Sequence, residues 1–280
     1  MFNIYYFNCI ENNNLKKMKP KKNFIIDKIK KKPKFSIITV VKNDEKGISS
    51  TIKSILNQTY KDFEYLIIDG NSSDNTLKKI LKYKKKINLL LSENDNGIYF
   101  AMNKGIKISK GEIIVFVNSG DIFTKNALKI IISIFNKDKK FDYVFGTVKR
   151  HYTKSTILKY GFNTRRLKYN FDFATAHSTG FFLKKKIFKK YGAFDTKYKC
   201  SSDYDLYYRI IVREKKIGSF TKKNQLIGIV KPGGFSSKVS SLDHIIEETK
   251  IRLNNNQNFI FVLIIFCNAI LKSFLKKIFN

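Results

Sequence analysis

Tryptophan is absent from these 280 residues, and proline and cysteine occur three times each. Cys9, Cys200 and Cys267 stand alone, with no CxxC spacing, so neither a disulfide framework nor a zinc site is expected. No apolar run reaches the roughly 20 residues that a membrane span needs; the longest is FIFVLIIFCNAIL, Phe259 to Leu271, followed by Lys272, Lys276 and Lys277. The opening MFNIYYFNCI passes straight into ENNNLKKMKPKK, without the cleavable pattern of an export signal, so a reducing cytoplasmic setting is expected. Three common motifs are also missing: GxxxxGK[ST] of nucleoside triphosphatases, GxGxxG of dinucleotide sites and the GxSxG elbow of hydrolases.

Acidic residues are scarce, 22 against 55 basic ones, for a formal net charge of +33. A field of that sign concentrates polyanions. However, lysine outnumbers arginine 49 to 6 and Asn, Ile, Phe and Tyr are abundant, the pattern of AT-rich coding DNA. Most of the charge therefore reads as a solvated coat. No nucleic-acid partner is expected; attraction to an acidic lipid surface is the remaining implication.

Residues 1–34 hold ten lysines and two acids, Glu11 and Asp27, and read as a basic leader. Regular patterning starts at FSIITVV, a short β-branched run typical of a buried parallel strand. Helices near 47–57, 75–84, 98–108 and 126–135 then alternate with strands at 63–68, 87–91, 113–117 and 141–145. Such alternation predicts an α/β domain over 35–230, with an open, mainly parallel sheet flanked by helices. Past Gly146 the periodicity fades into HYTKSTILKYGFNTRRLKYNFDF, read as a loop-rich region that shapes an acceptor pocket. Strand and helix patterns return near 179–183 and 202–211, and 231–280 reads as a C-terminal extension with an interfacial or core-docked helix.

Ligands of open α/β sheets sit beyond the carboxyl ends of the strands. There the chain places FSIITVVKN, IDGNSSDNT, ENDNGIYFAMNKGI and VNSGD in turn, with SSDYDLYYR further on. In this order the five segments resemble family 2 of the inverting glycosyltransferases, which have the GT-A fold, over roughly Lys34 to Gly218. The NDNGIY and NSGD variants look closest to enzymes building bacterial exopolysaccharide or lipopolysaccharide.

The resemblance implies a sugar moved from a nucleotide sugar, expected to be a UDP-sugar, to a hydroxyl of a cell-surface glycan or lipid-linked oligosaccharide. It puts Thr39, Val40, Asn43, Asp69, Asp95, Gly97, Tyr99, Asn103, Ser119 and Gly120 around the nucleotide sugar, Asp69 taking the imide N–H of uracil. Asp121 is the implied ligand of a divalent cation, Mn2+ or Mg2+. One carboxylate is compatible with that, since diphosphate and water fill the other positions, although Gly120 replaces a second acid the family usually carries. Asp203 is implied as the general base, while Asp205 reads as structural and Asp74 as a helix cap. His177 and Ser178 are candidate acceptor contacts; His151 and His244 have no such context.

Two other readings remain. Nucleotidyl transfer on a similar fold needs a glycine-rich, arginine-bearing first loop, which TVVKNDEKG is not. A polyanion- or lipid-binding protein on a degenerate scaffold predicts salt-sensitive binding without UDP affinity. The charge and the C-terminal helix suggest peripheral attachment to the inner face of the membrane.

Overall fold

A computed structural model describes residues 24–27, 32–152, 155–161, 178–234 and 239–278. Its centre is an eight-stranded sheet. Four parallel strands form the middle: β2 (Phe35–Val41), β3 (Phe63–Asp69), β4 (Leu89–Ser92) and β5 (Ile113–Phe116). β1 (Phe24–Asp27), from within the basic N-terminal stretch, pairs antiparallel with β4. On the other side β10 (Phe181–Lys184) runs antiparallel between β5 and β7 (Tyr143–Phe145), and β11 (Gly218–Phe220) closes that edge parallel to β7.

Side chains on the central strands alternate between two apolar layers, as the pleat requires. Phe35, Ile37 and Val41 of β2 face α1 (Ile48–Leu56), α2 (Thr76–Leu81) and α4 (Ala127–Lys137). Ile38 and Val40 face α3 (Ile98–Ile108), α5 (Lys185–Tyr191) and α6 (Ser202–Tyr207). α1 buries Ile48, Thr51, Ile52 and Ile55, a single stripe at helical spacing. Each isoleucine so buried contributes about 1.5–3 kcal/mol. α6 continues as a π-helical stretch, Tyr208–Arg213.

The region expected to be loop-rich begins with a hairpin. β8 (Thr147–His151) and β9 (Thr156–Lys159) join β12 (Leu226–Val230) and β6 (Ile122–Phe123) in a second, four-stranded sheet. TILK gives no alternation because β9 is largely exposed on both faces. The rest of that region, 162–177, lies outside the described residues, and His177 with it.

Two C-terminal helices complete the chain. α7 (Ser241–Asn254) packs on α6, and α8 (Phe259–Ile278) packs on α7. α8 buries Val262 and Ile265 while Phe259, Ile260, Ile264 and Phe274 are more than half exposed. Among the described residues no helix is long and apolar enough to cross a membrane.

Candidate active site

In the order β4-β3-β2-β5, the chain winds outward from β2 and then returns to place β5 on β2's other side. The loops after β2 and β5 therefore diverge and open a crevice at their carboxyl ends, the usual ligand position in such sheets. The Ser119 hydroxyl donates to Oδ2 of Asp44 at 2.6 Å and bridges the two loops. Asp44 was not among the sequence candidates. Its only sequence signal was its place just after the first strand.

Asn43 and Asn71 both take positive φ, 53° and 59°, a conformation asparagine tolerates better than most residues. These turns hold the loops after β2 and β3 together. Asn43 N–H donates to Ser72 Oγ at 2.9 Å, and Ser73 N–H to Asn43 Oδ1 at 2.8 Å. Asp69 ends β3 fully buried, accepting from the Ser72 main chain at 3.1 Å, the Ser72 hydroxyl at 2.5 Å and the Ser92 hydroxyl at 2.6 Å. It closes the turn that follows β3. Thr39 and Val40 lie below the rim. The Thr39 hydroxyl donates to the Val117 carbonyl at 2.8 Å and sits 3.0 Å from the Tyr65 hydroxyl, and Val40 belongs to the core.

Gly97 precedes α3 at φ 131°, a backbone open essentially to glycine alone. Asp95 lies beside Gly70 and pairs with Lys104, which also reaches Glu93 at 2.7 Å. Burial raises the Asp95 pKa, and Lys104 opposes the shift. The polar groups of Tyr99 and Asn103 are turned to protein. Asn103 bonds the main chain of Phe194 in both directions, at 2.8 and 3.0 Å, and the Tyr99 ring stacks on Phe194. The helix face expected to meet donor sugar thus holds the segment leading to Asp203.

At the β5 end, Gly120 has φ 93°, and a Cβ there would approach Asp44 Oδ2 to 3.7 Å. Asp121 is buried and accepts from the Thr179 hydroxyl at 2.6 Å and Lys231 N–H at 3.3 Å. Burial lifts its pKa to about 7, against the opposing pull of those bonds and of the Arg150 and Lys231 charges. Ser178, next to Thr179, accepts from Asn118 Nδ2 at 3.0 Å. The buried Asn118 Oδ1 has no partner among the described residues.

Asp203 is the second residue of α6. Its Oδ1 accepts from Tyr204 N–H at 2.9 Å and from the Tyr99 hydroxyl at 3.3 Å. Burial raises its pKa, and the two bonds and the nearby His244 counter the rise. His244, passed over in the sequence, has Nδ1 3.3 Å from the Ser201 hydroxyl. Glu248, also on α7, is pushed up to about 8 by burial, with Arg252 lowering and Asp203 raising it. Asp205 instead forms an ion pair with Arg209 at 2.8 Å, one turn on. Asp74 accepts from Thr76 N–H at 2.9 Å at the start of α2.

Among the described residues no cluster of three His, Cys, Asp or Glu side chains could enclose a metal. Asp121 still fits a cation carried by a diphosphate. That arrangement asks one or two carboxylates of the protein, an ionised carboxylate has about four acceptor sites, and a cation restores the charge that burial disfavours.

Comparison with known proteins agrees with this geometry. The sequence pattern of Glycosyl transferase family 2 matches residues 36–192. The Escherichia coli UDP-Glc:alpha-D-GlcNAc-diphosphoundecaprenol beta-1,3-glucosyltransferase WfgD is 36% identical over 126 residues, 45% of this chain and 49% of that protein. The chain thus spans about half the length of that relative. Residues 1–349 of Staphylococcus aureus TarS, solved with UDP-GlcNAc, superpose with TM-score 0.65 at 20% identity, covering 85% of this chain and 71% of that one. The Pyrobaculum calidifontis mannosyltransferase PcManGT, solved with GDP-Man and Mn2+, gives TM-score 0.61 at 14% identity over 85% of this chain and 69% of its own. With more than half of its residues matched, the chain belongs to glycosyltransferase family 2 and has its GT-A fold.

Proposed function

We propose that the protein is an inverting glycosyltransferase that moves a sugar from a UDP-sugar to a hydroxyl of a cell-surface glycan or lipid-linked oligosaccharide. What carries the reading is Asp203. It is a partly buried carboxylate with its pKa raised, held by Tyr99 on the helix that follows the third parallel strand's loop. A base for an alcohol must be ionised yet basic enough to take a proton: burial raises its basicity, while the bonds from Tyr204 N–H and the Tyr99 hydroxyl favour the ionised form. The acceptor oxygen attacks the anomeric carbon while its proton passes to Asp203. The bond from that carbon to the diphosphate breaks, and UDP leaves with the electron pair.

The rim loops bind and orient the donor. Asp69, Asn43 and Asp95 shape the nucleoside end, and Ser119, Gly120 and Asn118 line the diphosphate and sugar end. Ser178 borders the acceptor side. Asp121 would hold Mn2+ or Mg2+, which neutralises charge on a departing diphosphate. WfgD carries UDP-Glc in its name and TarS is solved in complex with UDP-GlcNAc, which supports a UDP-linked hexose or N-acetylhexosamine here. Residues 35–230 form the catalytic unit in this reading. The leader and the 231–280 extension seat it on the inner membrane surface, where a diphosphoundecaprenol acceptor like that in WfgD's name would lie.

The test is UDP release from a panel of UDP-sugars with manganese, comparing wild type with Asp203→Asn and Asp121→Ala. Loss of about 10²-fold or more in the first variant is expected for a general base, together with loss of the manganese response in the second. Undiminished turnover in both overturns the roles.

A further inference from the structure

The motif that supplies Asp203 does not explain what holds it. α6 begins without a side-chain cap bond at Ser201. The three residues before it are instead bound from outside, by a single carboxylate. Glu247 of α7 accepts from Lys199 N–H at 2.6 Å, Cys200 N–H at 2.9 Å, Ser201 N–H at 2.9 Å and the Cys200 thiol at 3.1 Å. One turn earlier on α7, His244 reaches the Ser201 hydroxyl.

The opposite side of the same segment is held by α3, because the Tyr99 hydroxyl donates to the Cys200 carbonyl at 2.8 Å. Cys200 is thus gripped at both polar groups, its N–H by Glu247 and its C=O by Tyr99. Asp203 follows three residues later, within the reach of the same Tyr99 hydroxyl. Elsewhere α7 grips α6 through Arg252, fully buried, whose guanidinium lies 5.4 Å from the Tyr204 ring and 5.8 Å from the Tyr208 ring. Asn255, just beyond α7, adds a bond to Asp205 at 3.4 Å.

From this double grip we infer that Glu247 is a positioning residue for Asp203: the α7 carboxylate sets the place and orientation of the base by clamping the peptide segment 199–201. The inference rests on the reading of Asp203 as the base. Burial pushes the Glu247 pKa up, but the main-chain N–H bonds outweigh it and the net shift is downward, so the clamp is ionised at neutral pH. Charge-assisted bonds of this kind are about twice as strong as neutral ones. A misplacement of about 1 Å at a reacting group can cost 10²-fold in rate. α7 lies outside the 36–192 match, so the clamp belongs to a part of the chain that the family pattern does not describe.

The experiment is a double-mutant cycle in the full chain, reading UDP release from UDP-glucose and UDP-N-acetylglucosamine with manganese. The variants are Glu247→Ala, Glu247→Gln, Asp203→Asn and the double variants. Glu247→Ala is expected to lower kcat roughly tenfold or more with KM for the donor within about twofold, and Glu247→Gln, which keeps an acceptor oxygen, to recover part of the loss. In the Asp203→Asn background the same change is expected to leave residual turnover unaltered, because a residue acting through the base has nothing left to position. A merely structural role would lower both backgrounds alike, and that result overturns the inference. Full turnover in Asp203→Asn alone rejects the base itself, a separate failure. Amide exchange gives a measurement that needs no substrate. Glu247→Ala should accelerate exchange at Lys199, Cys200 and Ser201 while β2 and β3 stay protected, and unchanged exchange there overturns the clamp.

Discussion

The Tyr99 hydroxyl lies between two acceptors on one short segment, 2.8 Å from the Cys200 carbonyl and 3.3 Å from Oδ1 of Asp203. It stabilises the ionised form of Asp203 against burial. Tyr99→Phe keeps the ring and its stacking on Phe194 but removes the donor. Loss of a bond of this type costs about 1–2 kcal/mol, or roughly tenfold in rate. The expected outcome is a kcat lowered by about that factor at pH 7, with the melting temperature falling by a few degrees, read by steady-state kinetics and thermal melts.

The acids around the base also predict the pH dependence. With Asp203 as the proposed base, turnover needs its ionised form, and burial raises its pKa. The acidic limb of kcat/KM is therefore expected above the usual carboxylate range. Tyr99→Phe, which removes a bond favouring the ionised form, should move that limb to higher pH. A limb that stays put in Tyr99→Phe would separate the hydroxyl from the titrating group.

Glu248 gives a stability prediction with a defined sign. Its folded pKa is about 8, above the value of an exposed glutamate. Between the two pKa values the folded state holds more protons than the unfolded state, so stability falls as pH rises through that window. Glu248→Gln cannot ionise. The variant should gain stability relative to wild type on going from pH 5 to pH 9, a difference visible in urea melts at the two pH values.

Much of this arrangement is legible in the sequence, and what is not has a physical cause. FSIITVV and IYFAMNKGI reveal their elements to within a residue because burial on two faces, or on one helical stripe, imposes a pattern on neighbouring residues. The loops that follow strands announce their polar residues for the same reason. Contacts between distant segments leave no such mark. His244 and Glu247 meet the segment before Asp203 across more than 40 residues, on a helix of ordinary amphipathic composition. Tyr99 and Asn103 have the spacing of a ligand-binding face, yet the same spacing serves equally well to hold Phe194 and Cys200. Strand β9 is hidden because a strand exposed on both faces needs no alternation.

Gly105 tests the layer beneath the site. It lies in α3 where a Cβ would come within 2.6 Å of Ile38 Cγ2 on β2. Helix propensity alone favours alanine by about 1 kcal/mol, whereas overpacking of a tight core costs about 1–3 kcal/mol. Close packing should win, because Ile38 is fully buried within the sheet and has little room to move. Gly105→Ala is expected to lower stability in urea unfolding and, by shifting α3, to weaken the hold of Tyr99 on Asp203. A variant more stable than wild type would show that β2 gives way.

Helix α8 buries Val262 and Ile265 while presenting Phe259, Ile260, Ile264 and Phe274 to solvent. Such an apolar face on a chain carrying a net charge of +33 is complementary to an anionic lipid surface, where buried apolar area and attraction of basic residues act together. Removing residues 259–280 should abolish co-sedimentation with vesicles containing acidic phospholipid, and move the protein to the supernatant in cell fractionation. Because α8 packs on α7, the truncation is compared with Ile260→Ser/Ile264→Ser, which leaves Val262 and Ile265 in place. Loss of vesicle binding in the double substitution, with melting unchanged, assigns the membrane contact to the exposed face. Binding retained in both variants would remove α8 from that role and leave it as a cover for α7.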